Sequence, residues 1–229
     1  MTEFARKGSQ RWLQVAVEKS PAVLGEPISA ALNLGEHGTI EWLSPLRSTK
    51  FVEYQDESTF DLLELELPNR PLRDFWPQRG PRWDGVARTS NGDILLVEAK
   101  AHIPELVSPR SKATEPAKGR IAQSVRDVQQ ALSPKSVGHV DWTGTFYQYA
   151  NRIAHLHFLR QDNGVRAHLV NVYFLNATDV MGPTVREEWD GALKVVETYL
   201  GVGRHRMSKY MHKVFVDAAP LFALAEAAS

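Results

Sequence analysis

Three side chains near the middle of the chain could together cleave a phosphodiester bond. Asp84 lies in the segment RWDG, and Glu98 and Lys100 lie a short distance later in LLVEAKAH. Two carboxylates can hold a Mg²⁺ ion, which activates a water molecule and relieves negative charge on a phosphate. A nearby lysine can hold that water, lower its pKa and stabilise the charge that develops. The carbonyl oxygen of Ala99 could supply a third metal ligand.

A β-hairpin is the element that must position these side chains. Its pattern consists of a first strand, a turn and a second strand, with the sequences RWDGVARTS, NGD and ILLVEAKAH. Asn91-Gly92 is a strong hairpin signal because both residues tolerate positive φ. Alternation along the second strand puts Glu98 and Lys100 on one face. Apolar residues on both faces at its start predict a central strand that becomes polar towards one end.

The number of residues in the hairpin loop decides whether the two carboxylates can meet. A two-residue turn at Asn91-Gly92 would pair Gly85 with Glu98 and put Asp84 on the opposite face. A loop with an odd count, such as 91–93, or a bulge would return Asp84 to the face of Glu98. A regular two-residue turn would make a shared metal site doubtful.

Asp84 with Glu98-Ala99-Lys100 resembles the motif of the PD-(D/E)XK, or restriction-endonuclease-like, nuclease superfamily over about residues 49–176. The resemblance implies an α/β fold with a restriction-endonuclease-like core, a central mixed β-sheet flanked by α-helices. It implies a Mg²⁺-dependent nuclease in which Mn²⁺ could substitute, with Asp84, Glu98 and Ala99 as metal ligands and Lys100 positioning the water. Alanine at Asp84, Glu98 or Lys100 is then expected to abolish cleavage without unfolding the protein. Arg82 replaces the proline that often precedes the aspartate.

Two further residues could assist this site. Gln148, in FYQYANR, corresponds to a glutamine that some members of the superfamily follow with a tyrosine four residues later, but here Arg152 takes that place. Glu57, with Glu53 as the second choice, corresponds to a glutamate that often completes the metal site from the first core helix. Each has an ordinary alternative, because Gln148 could face solvent or cap the core, and either acid could be a solvated surface group.

Three other interpretations remain for the whole site. Glu98 and Lys100 could be ordinary strand-end charges that pair with their neighbours. The chain could be a nuclease-fold module that binds nucleic acid but no longer cleaves it, which the neutral net charge and the missing tyrosine after Gln148 favour. The chain could also be a different metal- or phosphate-using enzyme on another α/β fold.

The remaining elements fit a single nuclease-like domain over 1–229, with additions before and after its core. Apolar periodicity predicts helices and strands in alternation along the chain. The expected elements are a helix or strand at 9–19, helices at 27–34, 49–67, 119–132, within 142–164 and at 185–201, and strands at 165–177 and 212–218.

Composition narrows the class of protein. Hydrophobic residues make up 43% of the chain, basic and acidic residues number 27 each, and cysteine is absent, which excludes disulfides and thiolate metal sites. The segment 100–135 is more basic than the rest and could attract phosphate, although a solvated helix face explains it equally. No secretory signal or apolar span stands out, so a cytoplasmic protein without membrane contact is expected. Nucleic acid, with DNA as the first choice, is the expected partner, and the chain could form a homodimer.

Overall fold

The chain is an α/β protein built on a five-stranded mixed sheet with helices on both faces. A computed structural model describes residues 3–226. Its strands are β1 (Ile40–Ser44), β2 (Tyr54–Gln55), β3 (Arg82–Trp83), β4 (Gly85–Thr89), β5 (Ile94–Lys100), β6 (Ala167–Leu175) and β7 (Met211–Asp217). Its helices are α1 (Gly8–Lys19), α2 (Ala22–Leu32), α3 (Glu57–Leu62), α4 (Leu72–Phe75), α5 (Ala117–Leu132), α6 (Tyr147–His157), α7 (Arg186–Leu200) and α8 (Ala219–Glu226).

The main sheet has the order β1-β4-β5-β6-β7, and β2 pairs with β3 in a separate two-stranded ribbon. Strands β1, β4 and β5 are antiparallel neighbours, whereas β6 is parallel to β5 and β7 is parallel to β6. Parallel neighbours need long crossover connections, which α5 and α6 supply before β6 and α7 supplies before β7. The sheet therefore extends beyond residues 49–176 at both ends.

Strand β5 lies at the centre of the sheet and is covered on both faces, as its sequence predicted. Leu95, Val97 and Ala99 pack with α1, α2 and α8 on one face. Ile94 and Leu96 pack with α5, α6 and α7 on the other. All five are buried, so the strand holds its polar end in a fixed place.

The prediction of a helix over 49–67 is wrong. Only Glu57–Leu62 is helical there, after the short strand β2. Lys50, Phe51 and Asp56 all have positive φ, a conformation that interrupts a right-handed helix. This segment is a connection rich in turns, and it packs Phe60 into the core.

The helix expected at 27–34 begins earlier, at Ala22, so that Pro27 lies in its interior rather than in its first turn. Leu24 and Ile28 are one helical turn apart, and both are fully buried against the sheet. This packing offsets the backbone hydrogen bond that Pro27 cannot donate. The helix within 142–164 starts only at Tyr147, because Phe146 has a left-handed conformation.

The other predicted elements agree with the structure to within a few residues. The segment 9–19, left open between helix and strand, is helix α1. Helix α7 ends at Leu200, where Gly201 adopts the left-handed conformation expected of a helix-ending glycine. Within residues 3–226, no helix has both the length and the apolarity that crossing a membrane requires.

Candidate active site

The hairpin between β4 and β5 has a three-residue loop, 90–92. The amide of Thr89 donates a hydrogen bond to the carbonyl of Asp93 at 2.9 Å, and Gly92 has a φ of 78°. Gly85 pairs with Val97. One step further, this register puts Asp84 opposite Glu98 and on the same face. The loop therefore has the odd number of residues that a shared site requires. It begins one residue earlier than the loop 91–93 that the sequence suggested.

Asp84 lies directly against the Glu98-Ala99-Lys100 segment. Its Oδ2 accepts a hydrogen bond from the amide of Ala99 at 2.7 Å. Asp84 is half-buried and lies in the lining of a cavity. Burial and the neighbouring charge of Glu98 raise the pKa of Asp84 to about 7.

Gly85 is the residue that allows this approach. A Cβ atom there would lie 3.1 Å from the ring of Trp42, 3.2 Å from the carbonyl oxygen of Ser44 and 3.3 Å from the Cβ of Val97. A side chain at Gly85 would therefore push β1 or β5 away from β4. The glycine next to the candidate aspartate thus has a packing function.

Glu98 is 4% exposed and holds two cations. Its Oε1 is paired with the Nζ of Lys100, and its Oε2 accepts a hydrogen bond from the Nε of Arg152 at 2.7 Å. Burial alone would raise the pKa of Glu98, but Arg152 and Lys100 outweigh it and lower that pKa. Burial would likewise lower the pKa of Lys100, but Glu98 and Asp84 raise it. Glu98 and Lys100 are therefore both charged at neutral pH.

Gln148 joins this cluster from the first turn of α6. Its Oε1 accepts a hydrogen bond from the Nζ of Lys100 at 3.0 Å, and its backbone amide donates to the Oγ of Ser108 at 2.8 Å. Of the two alternatives for this glutamine, neither a solvent-facing nor a core-capping side chain describes it. Gln148 is therefore a second hydrogen-bond partner of the ammonium group of Lys100, besides Glu98.

Arg152 is the residue whose importance the sequence did not reveal. It is 4% exposed, donates to the carbonyl of Arg82 at 2.6 Å as well as to Glu98, and stacks 4.7 Å from the ring centre of Trp83. In the sequence, Arg152 was noted only because it takes the place of an expected tyrosine four residues after Gln148. Its position one helical turn after Gln148 was the available signal, because residues four apart share a helix face.

The structure does not bring Glu57 to this cluster. Glu57 is exposed at the start of α3, whereas Glu53, the second choice, lines the cavity beside Asp84. An Oε of Glu53 lies 4.0 Å from a guanidinium nitrogen of Arg82, and its other oxygen accepts from Gln10 at 2.8 Å. The expected helix over 49–67 led to the choice of Glu57, and that helix is not formed.

An open cavity of about 770 Å³ leads to Asp84, Gln148 and Arg152. Basic side chains outnumber acidic ones in its lining, with Arg79, Arg82, Arg110, Lys112 and Arg152 against Glu53 and Asp84. Glu98 and Lys100 lie behind Gln148 and Arg152, where they line a second cavity of about 20 Å³. That space is enough for about one water molecule. Within residues 3–226, no group of three or more His, Asp or Glu side chains is arranged to hold a metal ion.

Comparison with protein-family models, with curated proteins and with solved structures found no match to this chain. The geometry of the cluster is therefore the basis on which its chemistry is inferred.

The pH dependence of stability should identify Asp84. Because its pKa is higher in the folded than in the unfolded protein, it stabilises the fold at low pH, and this contribution is lost as pH rises from about 4 to about 7. Buried and half-buried histidines with lowered pKa values give the opposite slope, so the wild type must be compared with Asp84→Asn. These are His155, His157, His168, His205 and His212.

We expect the free energy of unfolding of Asp84→Asn, relative to wild type, to increase as pH rises through this window in metal-free buffer. Urea denaturation at several pH values measures that difference. A difference that stays constant from pH 4 to pH 7 would show that the carboxyl group has an ordinary pKa.

Proposed function

We propose that this protein is a Mg²⁺-dependent nuclease that hydrolyses phosphodiester bonds of nucleic acid, with DNA as the first candidate. The observation that carries the proposal is the odd-count hairpin. Its register puts Asp84 against Glu98-Ala99-Lys100 and gives Asp84 a hydrogen bond to the Ala99 amide. Two carboxylates and a lysine then meet at one end of a buried strand, and Asp84 lines a cavity that carries more basic than acidic side chains.

The donor atoms suit Mg²⁺, which proteins usually hold through one or two carboxylates while it keeps several of its waters. Asp84 and Glu98 would be those carboxylates, and the carbonyl of Ala99 would be a third oxygen ligand. Both oxygens of Glu98 are bound to cationic side chains. Metal binding would therefore require Arg152 or Lys100 to release one oxygen of Glu98, and it would release the proton that Asp84 holds at lower pH.

A bound Mg²⁺ would supply charge stabilisation on the phosphate and an acidified water. Lys100 would orient that water and donate a hydrogen bond to it, while Gln148 keeps the ammonium group in place. The arginines of the cavity wall would bind neighbouring phosphates, a geometry for which guanidinium groups are well suited.

A restriction-endonuclease-like core is part of the proposal. The order of α3, the β4–β5 hairpin, α5 with α6, and a parallel β6 supports it, since this is the succession of helix, hairpin, helix and strand in that core. The extra strands β1 and β7 widen the sheet on either side.

Incubation of purified protein with labelled DNA and RNA in single- and double-stranded forms tests the proposal. We expect product only with Mg²⁺ or Mn²⁺ and none with excess chelator. Preparations of Lys100→Ala, purified identically, control for contaminating nucleases. If no form of nucleic acid is cut with either metal, the enzymatic proposal is wrong.

A second candidate is a nucleic-acid-binding module that does not cleave. The neutralised Glu98, and its position behind Gln148 and Arg152, favour this alternative. This alternative predicts nucleic-acid binding without any metal-dependent turnover. The logarithm of the binding constant should fall linearly with the logarithm of the salt concentration.

Gln148 provides a graded test of the nuclease. Because it contacts Lys100, Gln148→Ala should lower kcat by about 10–100-fold while the free energy of unfolding changes little. Steady-state kinetics and urea denaturation measure both quantities. The exposed Gln123→Ala on α5 is the control and should leave kcat unchanged. Equal kcat values for the two variants would show that Gln148 does not position Lys100 for the reaction.

A further inference from the structure

The groups proposed to act on the phosphate lie deep in the molecule. Glu98 is 4% exposed and the side chain of Lys100 is 12% exposed. The large cavity leads towards them, because Gln148 and Arg152 line both this cavity and the small one that holds Glu98 and Lys100. The substrate must therefore insert part of its backbone below the protein surface.

Both walls of this cavity are tied to the body of the protein. On one wall, the carboxylate of Asp56 accepts hydrogen bonds from the amides of Arg79 at 2.7 Å and Gly80 at 2.8 Å. On the other, Ser108 is held by the amide of Gln148, and Arg110 forms an ion pair with Asp141 at 3.0 Å. These contacts oppose a wide opening of the cavity.

The size of the cavity restricts what can enter. Its volume of about 770 Å³ is that of a pocket for a small ligand, since such pockets span roughly 300–1,000 Å³. A DNA duplex is a stiff rod with a persistence length of about 150 base pairs, so bending it sharply into a cavity of this size costs energy. A single strand bends freely and can insert a nucleotide or two.

The lining also suits a single strand. Arg79, Arg82 and Lys112 are exposed cations around the opening, and the half-buried ring of Tyr147 lines the interior. Proteins that bind single strands combine a basic groove for the backbone with aromatic rings on which bases stack.

We infer that the strand cleaved at this site is single-stranded, such as a free end, a flap or a gap, and that a continuous duplex is a poor substrate. This inference rests on the proposed nuclease function. It adds the class of substrate that the size and the basic side chains of the cavity favour.

Three DNA substrates of related sequence test it in the presence of Mg²⁺. They are a single-stranded oligonucleotide, a duplex with a single-stranded overhang, and a covalently closed double-stranded circle. We expect the closed circle to be cut at least about tenfold more slowly than the others, because each cleavage would first require unstacking of base pairs. The inference is overturned if the closed circle is cut as fast as the single strand.

Binding separates this inference from the proposed function. Fluorescence anisotropy without metal should show at least about tenfold tighter binding of the single strand than of the duplex. If no substrate is cut, the nuclease proposal fails. The relative affinities for single strand and duplex then decide by themselves which form of DNA the cavity accepts. Equal binding, or tighter binding of the duplex, rejects the inference.

A matched pair of variants locates the binding surface. Lys112→Ala, at the cavity, should weaken single-strand binding and reduce the salt slope by about 0.7, which is the value for one phosphate contact. Lys19→Ala removes an exposed lysine at the end of α1, on the other face of the sheet, and should change neither. Identical effects of the two substitutions would contradict binding in the cavity.

Discussion

Asp84→Asn is expected to lower metal-dependent cleavage by about a thousandfold, because it removes one of two carboxylates that would hold Mg²⁺. The same substitution should leave stability unchanged or increase it at neutral pH. Asparagine keeps an oxygen that can accept the Ala99 amide hydrogen, and it removes a charge whose burial is unfavourable. Loss of activity with no loss of stability would identify Asp84 as a functional rather than a structural residue.

The measurements are single-turnover cleavage rates and urea denaturation at pH 7. Asp61→Asn is the matched control, since Asp61 is an exposed acid on α3, away from the hairpin. It should affect neither quantity. Cleavage by Asp84→Asn at more than a tenth of the wild-type rate would show that the carboxylate is not a metal ligand.

Glu98→Ala is expected to destabilise the protein by about 3–5 kcal/mol, the usual cost of leaving a buried charge without its partner. Arg152 and Lys100 both pair with Glu98 inside the protein. The sequence alone suggested that alanine at Glu98 would leave folding intact, and the burial of both cations changes that expectation. The effect should be measurable as a lower urea midpoint with an unchanged m-value.

The double variant Glu98→Ala with Arg152→Met tests the explanation. Removing the unpaired guanidinium should recover part of the lost stability, so the two substitutions should not be additive. Exposed Glu57→Ala is the control and should change stability by less than about 0.5 kcal/mol. Full additivity in the double variant would show that Arg152 and Glu98 do not stabilise each other.

Local alternation was sufficient to predict the central strand and its two faces. Leu95 and Leu96 point into different cores, and the strand becomes polar at Glu98 as its sequence indicates. The juxtaposition of Asp84 with Glu98 depends on the parity of the hairpin loop. Asn91-Gly92 alone could not decide that parity, because glycine occurs in loops of both lengths.

The remainder of the cluster depends on tertiary contacts that no short pattern contains. Glu53 rather than Glu57 lines the cavity because Lys50 and Phe51 break the expected helix. Arginine is usually exposed at the protein surface. The burial of Arg152 is explained by its ion pair with Glu98 and its contact with the ring of Trp83.

The three-residue hairpin loop has a consequence for how this chain can change through evolution. A residue added within 90–92 can lengthen the loop and leave Gly85 paired with Val97, because hairpin loops of four or five residues are also common. A residue added inside β4 would instead shift the register by one, moving Asp84 away from Glu98 and turning Val86 out of its core, unless a bulge absorbed the change. Insertions are therefore expected to accumulate in the loop and to be eliminated from the strand beside it.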